Sequence, residues 1–439
     1  MFNLPKYGGG VCLARMALLL EALSIDRARL QHDSVVVTGS NGKGSTAAFC
    51  ASIGHAFGWR TGLFTSPHLY RFNERFQIDG EPIDDEILEA CVLRVATAIA
   101  DLKQHGLHET FGAFEAQFAL ACLYFQESDC DFAVFEAGIG GRYDPVRLIG
   151  ADITCVTSVD LEHVNLLGNS LEFIASDKSD ACAAGGVVIY GENCRPLQGH
   201  LAEYNRNRGV SAIYVGDEIT IRNVSASARG QTFNCRFGPF DLRALEIGLA
   251  GEFQLGNAAI AATLFILWMQ RTHPDAAAER IDHGIRSGLR DTRWPGRLEI
   301  VQRDPLTVID VGHTPDGVSQ ALKGLHAIHG PSSWILVLGV SADKNLDDIA
   351  KYLAPMFDTI VCMRAHHKGA DARAIGAAAR AANATARIHV ANALNDAVRI
   401  SQQLARTMHQ RVYVAGGLFA AIEYATVLRG GKAQDLQFF

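Results

Sequence analysis

The sequence predicts an α/β fold in which a mainly parallel central sheet carries a phosphate-binding loop and a smaller α/β unit follows. Three observations carry that reading. Short β-branched apolar runs alternate with Ala/Leu-rich stretches of helical spacing, the pattern of a parallel sheet covered on both faces. The first strong run, VVVTG, passes into a Gly-rich turn and then a helix pattern. A Trp-Pro-Gly interruption within DTRWPGR (residues 291–297) separates this series from a fresh strand–helix series.

In order, the apolar runs predict strands at Ser34–Thr38, Phe132–Glu136, Ile153–Ser158, Val187–Tyr190, Thr307–Asp310, Trp334–Gly339, Thr359–Met363 and Arg411–Ala415. The segment 211–250 breaks the rhythm and reads as a small antiparallel patch. The Ala-rich stretch 370–397 reads as helix plus strand. A domain boundary is expected near residue 295, giving units 1–295 and 296–439. At roughly 100–200 residues per domain, a chain of 439 residues has room for two or three.

Composition narrows the function. With 48% hydrophobic and 20% charged residues, the chain is built to bury a core. A net charge of -7 speaks against a nucleic-acid partner, which a basic surplus would serve. No apolar run reaches the roughly 18 residues that would span a bilayer, so no membrane partner is expected. MFNLPKYGGG lacks the pattern of a signal peptide. Ten cysteines without a C-x-x-C pair read as reduced thiols of a cytoplasmic protein.

The chemistry begins at Ser40-Asn41-Gly42-Lys43-Gly44-Ser45-Thr46. Gly42 and Gly44 let backbone N–H groups face an anion at little steric cost. The helix that follows adds donors and the positive end of its dipole. Lys43 can neutralise β/γ-phosphate charge, and Ser45 or Thr46 can contact a phosphate or its Mg2+. The ending Gly-Lys-Gly-Ser-Thr departs from the common G-x-x-x-x-G-K-[ST] spelling. Glu136 ends another buried strand, the position where ligands bind in an open α/β sheet. A carboxylate there suits Mg2+, which takes hard oxygen ligands and keeps several waters. His366 and His367, beside Lys368, lack a third ligand nearby in sequence and read as a solvated or substrate-facing loop.

TGSNGKGST resembles the nucleotide loop of the Mur ligase superfamily. Thr65-Ser66-Pro67-His68-Leu69 and Arg71-Phe72-Asn73-Glu74-Arg75 resemble segments of the folylpolyglutamate synthase and dihydrofolate synthase family. FEAGIGGR (135–142), TSVDLEH (157–163), WPGR (294–297) and DVGHTP (310–315) follow in that family's order, across nearly the whole chain. The resemblance implies an ATP-binding, Mur-ligase-like central domain over 1–295 and a Rossmann-like C-terminal ligase domain over 296–439. It implies a reaction that joins a carboxylate to an amine through an acyl phosphate, releasing ADP and phosphate. The implied partners are a small-molecule acid and L-glutamate or another amine. The implied cofactors are ATP, two Mg2+ ions and a monovalent cation, on a chain that works as a monomer.

The same resemblance assigns residues. Asn41, Gly42, Lys43, Gly44, Ser45 and Thr46 would hold ATP together with Asn257, Arg297, Asp310 and His313. Ser66 and Glu136 would bind one Mg2+ and His163 the second. Lys178 would support the second ion as an N-carboxylated lysine. Lys43, His163 and Lys178 would form the catalytic set.

Departures from the family's spelling gather on the acid side. Gly112, Ala113 and Phe114 stand where the family commonly reads T-[FY]-F. Tyr143 replaces a Leu, and Arg147 an Asn, so the pocket for the acid is expected to differ in shape and charge. Around Lys178 the family's Glu-Lys-Ala-Gly is here Asp177-Lys178-Ser179-Asp180. The first expectation is an ATP-dependent ligase adding glutamate to a pteroate- or folate-like acid in one-carbon metabolism. A second keeps the chemistry but takes an aryl acid of specialised metabolism. A third, a nucleotide-binding regulatory module, is opposed by the intact Lys43, Ser66, Glu136, His163 and Lys178.

Overall fold

The computed structural model describes residues 4–5, 8–10, 12–227 and 230–438. Its first sheet contains β1 (Ser34–Thr38), β2 (Thr61–Phe64), β3 (Phe76–Ile78), β4 (Glu81–Pro82), β5 (Phe132–Glu136), β6 (Ile153–Val156), β7 (Val187–Tyr190) and β8 (Ser211–Tyr214). Their order is β4-β3-β2-β5-β1-β6-β7-β8, with β2 through β8 along that order parallel and β3 and β4 antiparallel at one edge. β9 (Ile219–Ser227), β10 (Gly230–Phe237) and β11 (Phe240–Ile247) form a separate antiparallel sheet. The third sheet holds β12 (Glu299–Arg303), β13 (Leu306–Ile309), β14 (Trp334–Leu338), β15 (Thr359–Cys362), β16 (Arg387–Val390) and β17 (Arg411–Ala415), ordered β12-β13-β17-β14-β15-β16. All its pairings are parallel except β12 with β13.

β1 is buried along its whole length because both its faces are covered. Val35 and Val37 join the core shared with helices Lys43–Phe57, Phe253–Thr272 and Ala278–Asp291. Val36 points the other way, into the core under Leu13–Ala22, Asp85–Gln104 and Ala113–Glu127. A period of two with helices on both sides explains the continuous apolar run. The third sheet repeats the device, with Ile335 and Val337 in one core and Leu336 and Leu338 in the other.

All eight anticipated runs are strands, four of them ending one or two residues sooner than the apolar run. The residues shed include Thr157, Ser158 and Asp310, where the chain leaves the sheet to build the site. The segment 211–250 is not one patch, since β8 pairs parallel with β7 in the first sheet. The sequence showed no bilayer-length apolar run, yet helix Phe253–Thr272 is long and apolar enough to cross a membrane. It lies inside the protein, with 78% of its most apolar window buried, so its apolar surface is used by the core on every side. All ten cysteines are free, nine of them buried.

Candidate active site

The strand order sets the site. β1 lies between β5 and β6, so the loop after β1 is flanked by the residues that follow those two strands. Gly42 caps helix Lys43–Phe57 with φ 86°, a left-handed conformation that favours glycine. A Cβ on Gly42 would lie 2.5 Å from Asn257 Oδ1, and one on Gly44 would lie 3.1 Å from Trp294 Nε1. The segment after β6 clamps the loop. Asn41 N–H donates to Ser158 Oγ at 2.7 Å, the Thr157 hydroxyl donates to Asn41 O at 2.6 Å, and Asn41 Nδ2 donates to Asp160 at 2.7 Å. From beneath, Gln254 Nε2 donates to Ser45 Oγ at 3.2 Å, and Gln254 Oε1 accepts from Asn257 Nδ2 at 2.8 Å. The Lys43 ammonium folds onto the carbonyls of Gly39 (2.8 Å) and Ser40 (3.2 Å).

Glu136 ends β5 fully inside the protein. One of its oxygens accepts from Ser66 N–H at 3.0 Å. Burial raises its pKa to about 7, against the pull of Lys43, the Ser66 amide, Arg297 and Arg75. A carboxylate held by the backbone of a serine offers two kinds of hard oxygen on neighbouring residues, a set that fits a Mg2+ keeping most of its waters. The Thr46 hydroxyl is buried without a protein partner, a further oxygen close in sequence to Lys43.

Beyond β6, Lys178 is buried at 1% exposure and donates to Glu162 at 2.7 Å. Burial, and then the charge of Lys43, lower the pKa of Lys178 toward its neutral form. Burial opposes ionisation of Glu162 too, but Lys43 and Lys178 together pull its pKa down to about 2. His163 has φ 46° and an exposed ring. Its pKa is lowered by desolvation, which leaves an imidazole nitrogen free to ligate. Sequence reasoning passed over Glu162, although a carboxylate next to His163 was a readable signal. The unusual spelling around Lys178 is supported by its own network. Asp177 accepts from Gly141 N–H at 2.9 Å, and Asp180 accepts from Arg142 at 2.6 Å and Tyr204 at 2.8 Å.

The third sheet supplies the opposite wall. Asp310 follows β13, is buried, and accepts from Leu298 N–H at 3.1 Å and Gly312 N–H at 2.8 Å. Arg297 is half-buried, and its charge reaches both Asp310 and Glu136. His313 keeps an exposed surface although protein atoms crowd around it. Desolvation, then the charges of Lys344 and Arg297, hold its pKa down to about 4. Lys344 also acts on His163, so the second wall faces the first across the loop.

Where the sequence places the acid pocket, the Phe114 ring lies against Phe64 at 5.6 Å and fills the space where a Cβ on Gly138 would sit. Gly112 N–H donates to Glu115 at 2.6 Å, which Arg15 also holds at 2.8 Å. Phe114 is therefore brought to the Glu136–Arg142 loop, with Gly112 and Ala113 at the start of its helix. Tyr143 is 57% exposed and Arg147 donates to Arg142 O at 2.8 Å, so both stand at the outer edge. Asn257 supports the loop from below, against Gly42. His366 and His367 are not at the phosphate loop. Their amides and the His367 ring bind the buried carboxylate of Glu423.

A phosphate loop with a carboxylate at its lip and a second α/β wall opposite is the layout of a nucleotide-dependent group-transfer site. Comparison with known proteins agrees. The Mur ligase middle domain matches residues 37–265, and the Mur ligase glutamate ligase domain matches residues 296–418. Folylpolyglutamate synthase of Lacticaseibacillus casei is 32% identical over 346 residues, 79% of either chain. A solved folylpolyglutamate synthase of Mycobacterium tuberculosis, complexed with ADP and AMPPCP, superposes with TM-score 0.85 at 25% identity over 96% of both chains. A folylpolyglutamate synthase complexed with AMPPCP and folate gives TM-score 0.82 at 29% identity, again over 96% of both. The chain belongs to the folylpolyglutamate synthase and dihydrofolate synthase family of Mur ligases.

Proposed function

We propose that this chain joins L-glutamate to a pteroate- or folate-like carboxylate, with ATP supplying the activation and ADP and phosphate leaving. It is an ATP-dependent acid–amino-acid ligase by family, and relatives complexed with ATP analogues and folate support the substrates. The observation that carries the reading is the Lys43 ammonium, which has loop carbonyls for partners and acts on both Glu136 and Glu162. Amides from Gly42 to Ser45 bind phosphate oxygens, since those of Asn41 and Thr46 are already held by Ser158 Oγ and the Gly42 carbonyl, and Lys43 offsets the phosphate charge. Mg2+, when bound, neutralises phosphate charge and orients the transferred group. Ser66 and Glu136 hold one ion, and His163 with Lys178 serves a second.

A lysine pushed toward its neutral form is the nucleophile that adds CO2, which supports Lys178 as an N-carboxylated lysine. Arg297 and Asp310 orient the nucleotide from the second wall, with His313 neutral beside them. Phe114, with Gly112 and Ala113, lines the acid, while Tyr143 and Arg147 shape the outer rim. Closure of two domains, divided near residue 295, excludes water from an acyl phosphate that water would otherwise hydrolyse. The proposal includes a monovalent cation, a monomeric chain and a cytoplasmic setting.

The test offers the purified protein ATP, Mg2+ and L-glutamate with dihydropteroate, tetrahydrofolate or an aminobenzoate-type acid. The expected result is a product one glutamyl residue heavier from a pterin acid, with ADP release dependent on acid and amine together. Lys43→Ala should lower turnover at least about a hundredfold while the melting temperature holds. Product from the aryl acid alone would replace the folate reading. ADP release that ignores both acid and amine would end the ligase reading.

A further inference from the structure

The Ser66–Pro67–His68 turn is held from two sides. On the first-sheet side, Ser66 N–H donates to Glu136 at 3.0 Å and Thr65 N–H donates to Arg75 O at 3.1 Å. The Glu74 carboxylate gathers the next amides, from Leu69 at 2.8 Å, Tyr70 at 3.1 Å and Arg71 at 2.8 Å. His68 is buried at 2% exposure. Its Nδ1 accepts from Arg75 Nε at 2.8 Å, and Arg75 donates onward to Gln117 at 3.0 Å. Because Nδ1 accepts, the ring proton sits on Nε2. There it donates to the backbone carbonyl of Gln437.

Gln437 belongs to the other side. Its neighbour Phe438 is buried, edge-on to His367 at 4.9 Å and to Phe419 at 4.8 Å. Glu423 fixes that His367 ring at 2.9 Å. Leu69 and Tyr70 pack against the core of the third sheet, which contains Ile309, Val311 and Phe438. Tyr70 also accepts from Arg429 at 3.3 Å, and Arg429 pairs with Glu299 at 2.9 Å. One short turn thus carries Ser66 beside Glu136 while its next residues are seated in the opposite unit.

We propose that His68 is a positioning residue for divalent-ion binding, tying the Ser66 turn to the Leu436–Phe438 segment so that the seating of the third sheet sets Ser66 beside Glu136. This rests on Ser66 and Glu136 as the ligands named under the proposed function. His68 touches no reacting atom. It acts through the turn, as a hydrogen-bonded partner behind a metal ligand does. The His366–His367 loop, which no step of the ligation uses, then has a role as the seat for Phe438.

The experiment measures Mn2+ binding by electron paramagnetic resonance with AMPPCP present, and the Mg2+ concentration for half-maximal ADP formation. Four full-length variants are compared with the parent, each checked by circular dichroism melting. His68→Gln keeps an acceptor for Arg75 and a donor for Gln437, and should bind Mn2+ like the parent. His68→Leu fills the same space without either bond, and Phe438→Ala loosens the segment from the far side. Both should weaken Mn2+ binding and raise the Mg2+ requirement about tenfold, with turnover at saturating Mg2+ preserved. Parent-like Mn2+ binding in His68→Leu and Phe438→Ala, or a His68→Gln as weak as His68→Leu, would overturn the coupling. Ser66→Ala separates the layers. If it weakens Mn2+ binding and His68→Leu does not, the coupling alone fails; if it leaves binding unmoved, the ligand assignment itself fails.

Discussion

At the scale of single residues, Glu136 shows how a structural position becomes chemistry. Burial lifts its pKa from 4.5 to about 7, and three cations and an amide are not enough to cancel that. Between those values the native state holds a proton that the unfolded chain has lost. Glu136 therefore costs stability as pH rises through that window, the opposite sign from an exposed, paired carboxylate. Only the ionised form binds a divalent ion well, so metal binding competes with the proton. The half-saturating Mg2+ concentration should fall about tenfold per pH unit below about pH 6 and about fivefold between about pH 6 and about pH 7, then level off by about pH 8. Glu136→Gln should flatten that profile and raise the requirement throughout. Mg2+ titrations of initial rate at each pH read the effect, and a parent profile as flat as the variant's would remove Glu136 from the metal's shell.

At the scale of elements, the turn from β1 into helix Lys43–Phe57 depends on space as much as on charge. Gly42 has a left-handed φ and the Asn257 amide directly beneath it. Gly42→Ala should destabilise the protein by about 1–3 kcal/mol and weaken nucleotide binding. Asn257→Ala should relieve the contact, so the double variant should be more stable than the sum of the single losses. Denaturant midpoints of all four proteins give the coupling, and strict additivity would show that Asn257 does not press on the loop. The same elements show what the letters carried. β1, β5, β14 and β17 were legible because strands covered on both faces are written as unbroken apolar runs. β3, β4 and β12 were not, since strands of two to five residues at or next to a sheet edge are too short to leave such a run. Lys43, Ser66, Glu136 and Lys178 were legible through motif spelling. Glu162, His68 and Arg75 were not singled out, because their partners lie on other elements: Lys178 on a later helix, Gln437 near the end of the chain, and Gln117 on helix Ala113–Glu127.

At the scale of the molecule, a chain of net charge -7 concentrates cations in one cleft. Lys43 comes from the first sheet's side, Arg297 and Lys344 from the third sheet's side. His163 feels Lys43, Lys178 and Lys344, while His313 feels Lys344, Arg297 and Lys43. Like charges on facing walls oppose approach until a polyanion lies between them, so the proposed closure should depend on bound nucleotide. Lys344 tests this because it is exposed and lies outside the phosphate loop. Lys344→Ala removes one repelling charge, so the ligand-free melting temperature should hold or rise. A ligand at a hundred times its Kd stabilises the native state by about 2.7 kcal/mol. If Lys344 contributes about tenfold to affinity, the variant should lose about 1.4 kcal/mol of that gain at the same AMPPCP and Mg2+ concentrations. Added salt should shrink the gain more in the parent than in the variant, because the parent has one more charge to screen. Thermal melts with and without ligand, at low and high ionic strength, measure both effects. An identical ligand-induced shift in the two proteins would mean that the third-sheet wall does not share the phosphate charge.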